Sequence, residues 1–190
     1  DDSGNVYVNQ VAKVLGADKV NNYGLPSSPI SDTVNPALSE EENENLSFLS
    51  RAPKMEKDAD IIFVFGGVND YSLNVPMGDD DDETFSGSLN LLFSGLEHDY
   101  PTSKIIALTP LKRYDQTGAN DEGYELEDYA NQISTIADKY AQVDSIAKMV
   151  PAKIPNVKLV TIDKAMEVNP ELKKTYDEQP DVHHLIDMAK

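Results

Sequence analysis

Residues 61–65 form a short apolar run that ends at two glycines, and no other segment constrains the fold as much. The run reads Ile-Ile-Phe-Val-Phe, and its β-branched and aromatic residues are typical of a buried strand in a parallel sheet. Gly66 and Gly67 permit a sharp turn, and Asn69 and Asp70 follow within a few residues. Ligands bind at the carboxyl ends of the strands in open α/β sheets, so these two polar residues are site candidates.

Apolar spacing elsewhere alternates between strand-like and helix-like segments. Runs at residues 103–109 and 157–162 predict two further buried strands. Helical spacing predicts a first helix over residues 7–15 with Gly16 as its cap, some helix within residues 40–50, and a helix over residues 85–96. A last and longest helix is predicted from apolar positions that keep the same spacing, namely Leu126, Tyr129, Ile133, Ile136, Tyr140, Val143 and Ala147.

Strands separated by helices require crossover connections, which favour a parallel sheet. The predicted fold class is therefore α/β: a doubly wound, mostly parallel sheet with helices on both faces, in a flavodoxin-like three-layer α/β/α arrangement. At 190 residues the chain is predicted to form one domain.

Composition excludes several classes of partner and chemistry. Sixteen basic and 34 acidic residues give a net charge of −18, which disfavours nucleic acid and anionic membrane surfaces. The chain has no cysteine, so disulfides, thiolate nucleophiles and cysteine-based metal sites are excluded. No apolar run approaches the ~20 residues of a membrane span, so no membrane insertion is expected. The absence of cysteine and of a membrane span does not choose between a cytoplasmic and a secreted location.

Asn69 has two interpretations. A neutral side-chain amide at the end of a strand can donate hydrogen bonds to a developing oxyanion without titrating. Gly-Gly-x-Asn-Asp is equally good loop chemistry, because Asn and Asp often bond to their own backbone in turns. Spacing alone leaves both interpretations open.

The three histidines are His98, His183 and His184. His98 lies at the end of a predicted helix, where a cationic side chain suits the helix dipole, so a structural role is preferred. Asp181 and His184 are three residues apart, a spacing that allows the carboxylate to accept the imidazole Nδ1 proton and leave Nε2 as a base. The alternative is a solvated turn in which Asp181 caps a terminal helix.

The acidic run at residues 79–83 reads Asp-Asp-Asp-Asp-Glu and suggests a calcium site at first sight. Consecutive carboxylates point in different directions, however, and lack the alternating spacing of calcium loops. Carboxylates before a helix also favour its positive end, so a structural role is preferred and no metal site is expected.

Taken together, these motifs resemble those of the SGNH hydrolases, the GDSL-type esterases and lipases. Residues 67–70 (Gly-Val-Asn-Asp) match the family's Gly-x-Asn-Asp block, and residues 181–184 match its Asp-x-x-His block. Residues 22–28 (Asn-Tyr-Gly-Leu-Pro-Ser-Ser) resemble the block that donates a backbone N–H to the oxyanion hole, with Ser27 aligned to the usual glycine.

The resemblance implies a serine esterase with Asp181 and His184 as catalytic residues and Asn69 and Ser27 in the oxyanion hole. The implied substrates are carboxylic esters of acetyl or other short acyl groups, including esters linked to carbohydrate, and no cofactor is implied. The loops at 68–83 and 110–124 are expected to form the walls of the site. The oligomeric state is left open.

One block departs from the family pattern. Residues 1–3 (Asp-Asp-Ser) superficially resemble the Gly-Asp-Ser block that carries the nucleophile, but no strand precedes Ser3. We therefore expect the first strand and the nucleophilic serine to lie upstream of Asp1, and the last helix to be cut short at Lys190. The alternative is a non-catalytic binding or structural module that retains the hydrolase fold.

Overall fold

The computed structural model describes residues 7–78, 81–111 and 118–145. Three parallel strands and six α-helices are found within these ranges, together with a 3-10 turn at Ala52–Lys54. In chain order the elements are α1 (Tyr7–Leu15), α2 (Glu40–Asn43), α3 (Phe48–Arg51), β1 (Ile61–Phe65), α4 (Val68–Ser72), α5 (Phe85–Asp99), β2 (Lys104–Leu108), α6 (Leu126–Ala137) and β3 (Val143–Ser145).

The strands lie side by side in the order β1-β2-β3, and both pairs are parallel. Ile61 pairs with Lys104 at the start of the first ladder, and Ile105 pairs with Val143 in the second. The connections through α5 and α6 step in one direction along the sheet, and right-handed crossovers then place both helices on the same face. The two helices pack against each other there.

The core lies between these helices and one face of the sheet. Ile62 and Val64 of β1 are buried beside Ile105 and Ala107 of β2, and they alternate with more exposed residues as strand geometry requires. The helices contribute the fully buried apolar side chains Phe85, Leu89, Phe93, Tyr129, Ile133 and Ile136. Burial of such residues is the main stabilising contribution to the fold.

The predicted long helix over residues 126–147 is wrong in its second half. Helix α6 ends at Ala137, and Val143 begins β3. Tyr140 lies beyond the end of the helix, and its hydroxyl donates a hydrogen bond to the carbonyl of Asn90 in α5, at 2.9 Å. The apolar residues keep a helical spacing beyond Ala137, but the backbone there pairs with β2 as strand β3 and does not continue the helix.

The other predicted elements differ in their outcome. The strands predicted at 61–65 and 103–109 and the helices predicted at 7–15 and 85–96 are confirmed, with small changes in the bounds of some of them. The predicted helix within residues 40–50 becomes the two short helices α2 and α3. The strand predicted at 157–162 lies outside the described residues. No helix in the described ranges combines the length and apolar character that crossing a membrane requires.

Candidate functional site

The end of β1 turns directly into α4 through two tightly packed glycines. Gly67 has a φ of +100°, a left-handed conformation that L side chains rarely adopt. At Gly66, a Cβ atom would lie 2.8 Å from Cγ1 of Ile30, so only a glycine permits this close approach. The turn places Asn69 and Asp70 at the carboxyl end of β1, in the first turn of α4.

Asn69 is half-buried and bonds across the chain to the loop before α2. Its Nδ2 donates a hydrogen bond to the carbonyl oxygen of Ser28 at 2.9 Å. This bond uses one of the two N–H groups of the amide and fixes the plane of the side chain. The second N–H makes no hydrogen bond with the residues that the structure describes, and it can serve as a donor to a bound group.

Asp70 is fully buried, and its carboxylate accepts hydrogen bonds from the same loop. The backbone N–H of Ile30 lies 3.1 Å and 2.9 Å from its two oxygens, and the backbone N–H of Ser31 lies 3.0 Å from Oδ1. The Ser31 hydroxyl donates to Oδ1 at 2.8 Å. Burial raises the pKa of the Asp70 carboxyl above its ordinary value, and these hydrogen bonds partly offset that effect.

Ser27 is exposed and has a φ of +60°, in the left-handed region that favours glycine. It follows Pro26 within a turn. A proline followed by a residue of positive φ is typical of a type II turn, in which glycine usually takes the second central position. Holding a serine there costs roughly 1–2 kcal/mol. The backbone therefore has at Ser27 the conformation that a glycine would adopt without strain.

A second loop is attached to α4 and to the turn that follows it. The hydroxyl of Tyr71 donates to the carbonyl of Gly118 at 2.7 Å, and Asn74 exchanges hydrogen bonds with Asp121. The side chain of Asn120 donates to the backbone carbonyl of Tyr71 at 3.1 Å and to the hydroxyl of Tyr129 at 3.0 Å. These contacts hold residues 118–124 beside α4.

Tyr129 lies beneath this loop and is an uncharged structural group. Its hydroxyl donates to the backbone carbonyl of Val75. Burial raises the pKa of Tyr129 to about 12, so the phenol stays protonated at neutral pH.

The structure brings together two of the four residues predicted for the site. Asn69 bonds to Ser28, the residue next to Ser27, so the amide and the left-handed turn are neighbours. Asp181 and His184 lie outside the described residues, as does Ser3, and their placement stays a prediction.

His98 is at the wrong edge of the sheet for this site. It lies in the last turn of α5, which leads back to the start of β2, whereas Asn69 follows the end of β1. Its side chain is 88% exposed, and its Nδ1 lies 3.1 Å from Oδ1 of Asp99. These contacts fit the structural role that the sequence favours.

The described part of the acidic run makes local and backbone hydrogen bonds: the Asp81 carboxylate accepts from the Glu83 N–H at 3.2 Å. The carbonyl of Asp82 accepts hydrogen bonds from the backbone N–H of Asp32 at 2.9 Å and from the hydroxyl of Ser88 at 2.8 Å. Within the described ranges, no group of three or more histidines or carboxylates is arranged to hold a metal ion.

Sequence reasoning missed the part that Asp70, Ile30 and Ser31 play at this site. It identified Asp70 within the Gly-x-Asn-Asp motif but gave it no partner. The carboxylate's donors lie 39 and 40 residues away in the chain, which no local pattern reveals. One indication of this contact was present in the sequence: the family resemblance assigns the Gly-x-Asn-Asp block and the block that contains Ser27 to the same site.

Comparison with solved structures places this geometry in a known fold. A protein from Lactobacillus plantarum superposes with a TM-score of 0.59 at 22% identity, over 90% of this chain and 86% of that one. A possible lipase from Chitinophaga pinensis superposes with a TM-score of 0.57 at 20% identity, over 82% of this chain and 61% of that one. A further solved structure, 25% identical, has a TM-score of 0.62 over 74% of this chain and 66% of its own.

These likenesses agree with the predicted doubly wound, three-layer α/β/α fold, of which the described residues form a three-stranded parallel part. The chain spans less than two thirds of the length of two of these three structures. No curated protein matches the chain. The family model for GDSL-like lipase/acylhydrolase matches residues 9–169, which include the Gly-x-Asn-Asp turn and the Ser27 loop. On this match, which covers most of its length, the chain belongs to the GDSL-like lipase/acylhydrolase family.

Proposed function

We propose that this protein is a serine esterase that hydrolyses carboxylic esters, with its oxyanion hole at the end of β1. The observation that carries the proposal is the Asn69 side chain, held by Ser28 beside the left-handed turn at Ser27. A fixed amide N–H and a backbone N–H near the carboxyl end of a strand are the donors that stabilise a tetrahedral oxyanion. Family membership supports the same reaction class.

In the proposed reaction, a serine hydroxyl attacks the ester carbonyl while His184 takes its proton. Asp181 orients the imidazole and stabilises its charged form. The carbonyl oxygen becomes an oxyanion that accepts hydrogen bonds from Asn69 Nδ2 and the Ser27 N–H. Collapse of this intermediate expels the alcohol, which receives the proton from His184, and water then releases the acyl group by the same steps.

Residues 1–190 contain no Gly-Asp-Ser motif that would identify the nucleophilic serine. We propose that it is the serine of a Gly-Asp-Ser block that follows a strand upstream of Asp1, so that residues 1–190 form most of a single domain. The proposed substrates carry acetyl or other short acyl groups, including esters of carbohydrate. A net charge of −18 disfavours anionic substrates such as phospholipids.

Active-site labelling tests the proposal directly. The full-length protein and the chain of residues 1–190 are treated with a fluorophosphonate, which reacts with activated serines, and the modified residue is found by mass spectrometry. We expect labelling of an upstream serine in the full-length protein, with hydrolysis of p-nitrophenyl acetate, and neither in the shorter chain. Labelling of Ser3 that Ser3→Ala abolishes would place the nucleophile within this chain.

A non-catalytic module with the hydrolase fold is the competing function. It predicts no serine labelling and no hydrolysis in the full-length protein, although the fold is intact by circular dichroism. The same experiment therefore separates the two.

A further inference from the structure

Asp70 is a fully buried acidic side chain that the proposed reaction does not use. Its neighbour in α4, Asn69, donates to the carbonyl of Ser28, while Asp70 accepts from Ile30 and Ser31. Two consecutive side chains of one helix therefore hold the same loop, one through a donor and the other through an acceptor. The two attachment points are only two or three residues apart along the loop.

We propose that Asp70 is a positioning residue, which fixes residues 27–31 against α4 so that the Ser27 N–H and the Asn69 amide face one point. The inference rests on the proposed function, because it assigns Asp70 to the assembly of the oxyanion hole. Asp70 itself does not touch the substrate. It acts through the loop that carries Ser27 and through the Ser28 carbonyl that orients Asn69.

On one side the loop is held by other segments, because the Ser28 hydroxyl donates to the Leu46 carbonyl at 2.8 Å and the Phe48 N–H donates to the Pro29 carbonyl at 3.0 Å. Its attachment to α4 consists of the Asn69 bond and the bonds from Ile30 and Ser31 to Asp70, and without Asp70 only the Asn69 bond would tie these described residues to α4. The loop needs such restraint, because the left-handed backbone of Ser27 is strained and would relax if released. On the opposite side, Ile30 packs against Gly66 so closely that the loop has no space to move towards β1.

The energetic consequence follows from the geometry of catalysis. Displacement of a reacting or stabilising group by about 1 Å can reduce a rate on the order of 100-fold. A loosened loop displaces the oxyanion donors. This displacement weakens stabilisation of the transition state more than it weakens binding of the ground-state ester. Loss of the Asp70 contacts is therefore expected to lower kcat with little change in KM.

The alternative is that Asp70 only stabilises the fold. Ser31→Ala separates the two roles, because it deletes one hydroxyl donor and leaves both backbone donors to Asp70. Ser47→Ala is the matched control. Ser47 is also a buried serine, and its hydroxyl caps α3 and donates to Asp32 at 3.0 Å, without contact to Asp70.

The test measures p-nitrophenyl acetate hydrolysis by the full-length protein and its variants. We expect Ser31→Ala to lower kcat about tenfold and Asp70→Asn about 100-fold, with KM within about twofold of wild type. Ser47→Ala should lower the melting temperature about as much as Ser31→Ala and keep wild-type kcat. An unchanged kcat in Ser31→Ala and Asp70→Asn, or an equal loss in Ser47→Ala, would overturn the positioning role.

A second measurement does not depend on activity. Nuclear magnetic resonance follows hydrogen exchange of the Asn69 side-chain amide in the same proteins. Faster exchange in Ser31→Ala than in Ser47→Ala supports the positioning role, even if the wild type hydrolyses no ester and the proposed function fails. Equal exchange in the two variants would overturn the positioning role and leave the proposed function standing if the wild type is active.

Discussion

The side-chain amide of Asn69 donates a hydrogen bond to the backbone carbonyl of Ser28, at 2.9 Å, although the two residues are 41 positions apart. The bond joins the turn after β1 to the loop that contains Ser27. It brings two separate sequence motifs together at the carboxyl end of β1. The proposed esterase site depends on this connection.

Asn69→Ala should reduce kcat of the full-length protein by about 100- to 1000-fold, which corresponds to roughly 2.7–4 kcal/mol of transition-state stabilisation. The variant loses both the oxyanion donor and the bond to Ser28. Steady-state hydrolysis of p-nitrophenyl acetate gives the comparison. Asn131→Ala, at an exposed amide on α6, is the control and should keep the wild-type rate. Wild-type kcat in Asn69→Ala would show that this amide has no part in catalysis.

Ser27→Gly should stabilise the fold by between about 0 and 1.5 kcal/mol. Glycine relieves the roughly 1–2 kcal/mol cost of the left-handed conformation, and its greater freedom in the unfolded chain offsets about 0.5–1 kcal/mol of this gain. Urea unfolding provides the measurement. Ser94→Gly, at an exposed position within α5, should lose about 0.5–1 kcal/mol. The account of the turn fails if Ser27→Gly is destabilised as much as this control.

The extent to which sequence predicts this structure depends on how local each feature is. Strand β1 was predictable because its apolar run is short, uninterrupted and closed by glycines. The end of α6 was not predictable, because Tyr140 and Val143 keep a helical spacing, and the contacts of this segment with α5 and β2 come from residues far away in the chain.

The candidate site follows the same rule. Asn69 is predicted as a site residue from its position after a buried strand, and Ser27 from a resemblance to a family block. The partners of Asp70 were not found, because they come from a loop that lies far away in the chain.

The stability of the fold should depend on pH through Asp70. Burial raises its pKa above the unfolded value of about 3.9, so the folded state holds the proton more tightly than the unfolded state does. Its contribution to stability is fully present below about pH 3.9 and is lost as the pH rises through the folded pKa. The unfolding free energy of wild type minus that of Asp70→Asn should therefore decrease with rising pH in this window.

Urea unfolding of both proteins between pH 3 and pH 8 gives this difference, because other titrating groups contribute equally to the two. A difference that grows with pH would mean that the hydrogen bonds from Ile30 and Ser31 outweigh burial. The pKa of Asp70 would then lie below its ordinary value.

His184→Ala should abolish ester hydrolysis by the full-length protein, whereas His183→Ala and His98→Ala should not. The spacing of Asp181 and His184 allows the carboxylate to orient the imidazole. A shift by one residue would pair the base with Pro180, whose side chain has no acceptor for the imidazole proton. The wild-type rate should rise as a group of pKa near 6.5 deprotonates. Lost activity in His183→Ala with normal activity in His184→Ala would identify the other histidine as the base.

The most direct test of the proposed site is a crystal structure of the full-length protein with a phosphonate bound covalently to its reactive serine. The decisive quantities are the distances from the phosphonyl oxygen to Asn69 Nδ2 and to the backbone nitrogen of Ser27. The account predicts both at hydrogen-bond length, about 2.7–3.1 Å, with His184 at the same edge of the sheet. A phosphonate bound away from Asn69, or His184 at the opposite edge, would contradict it.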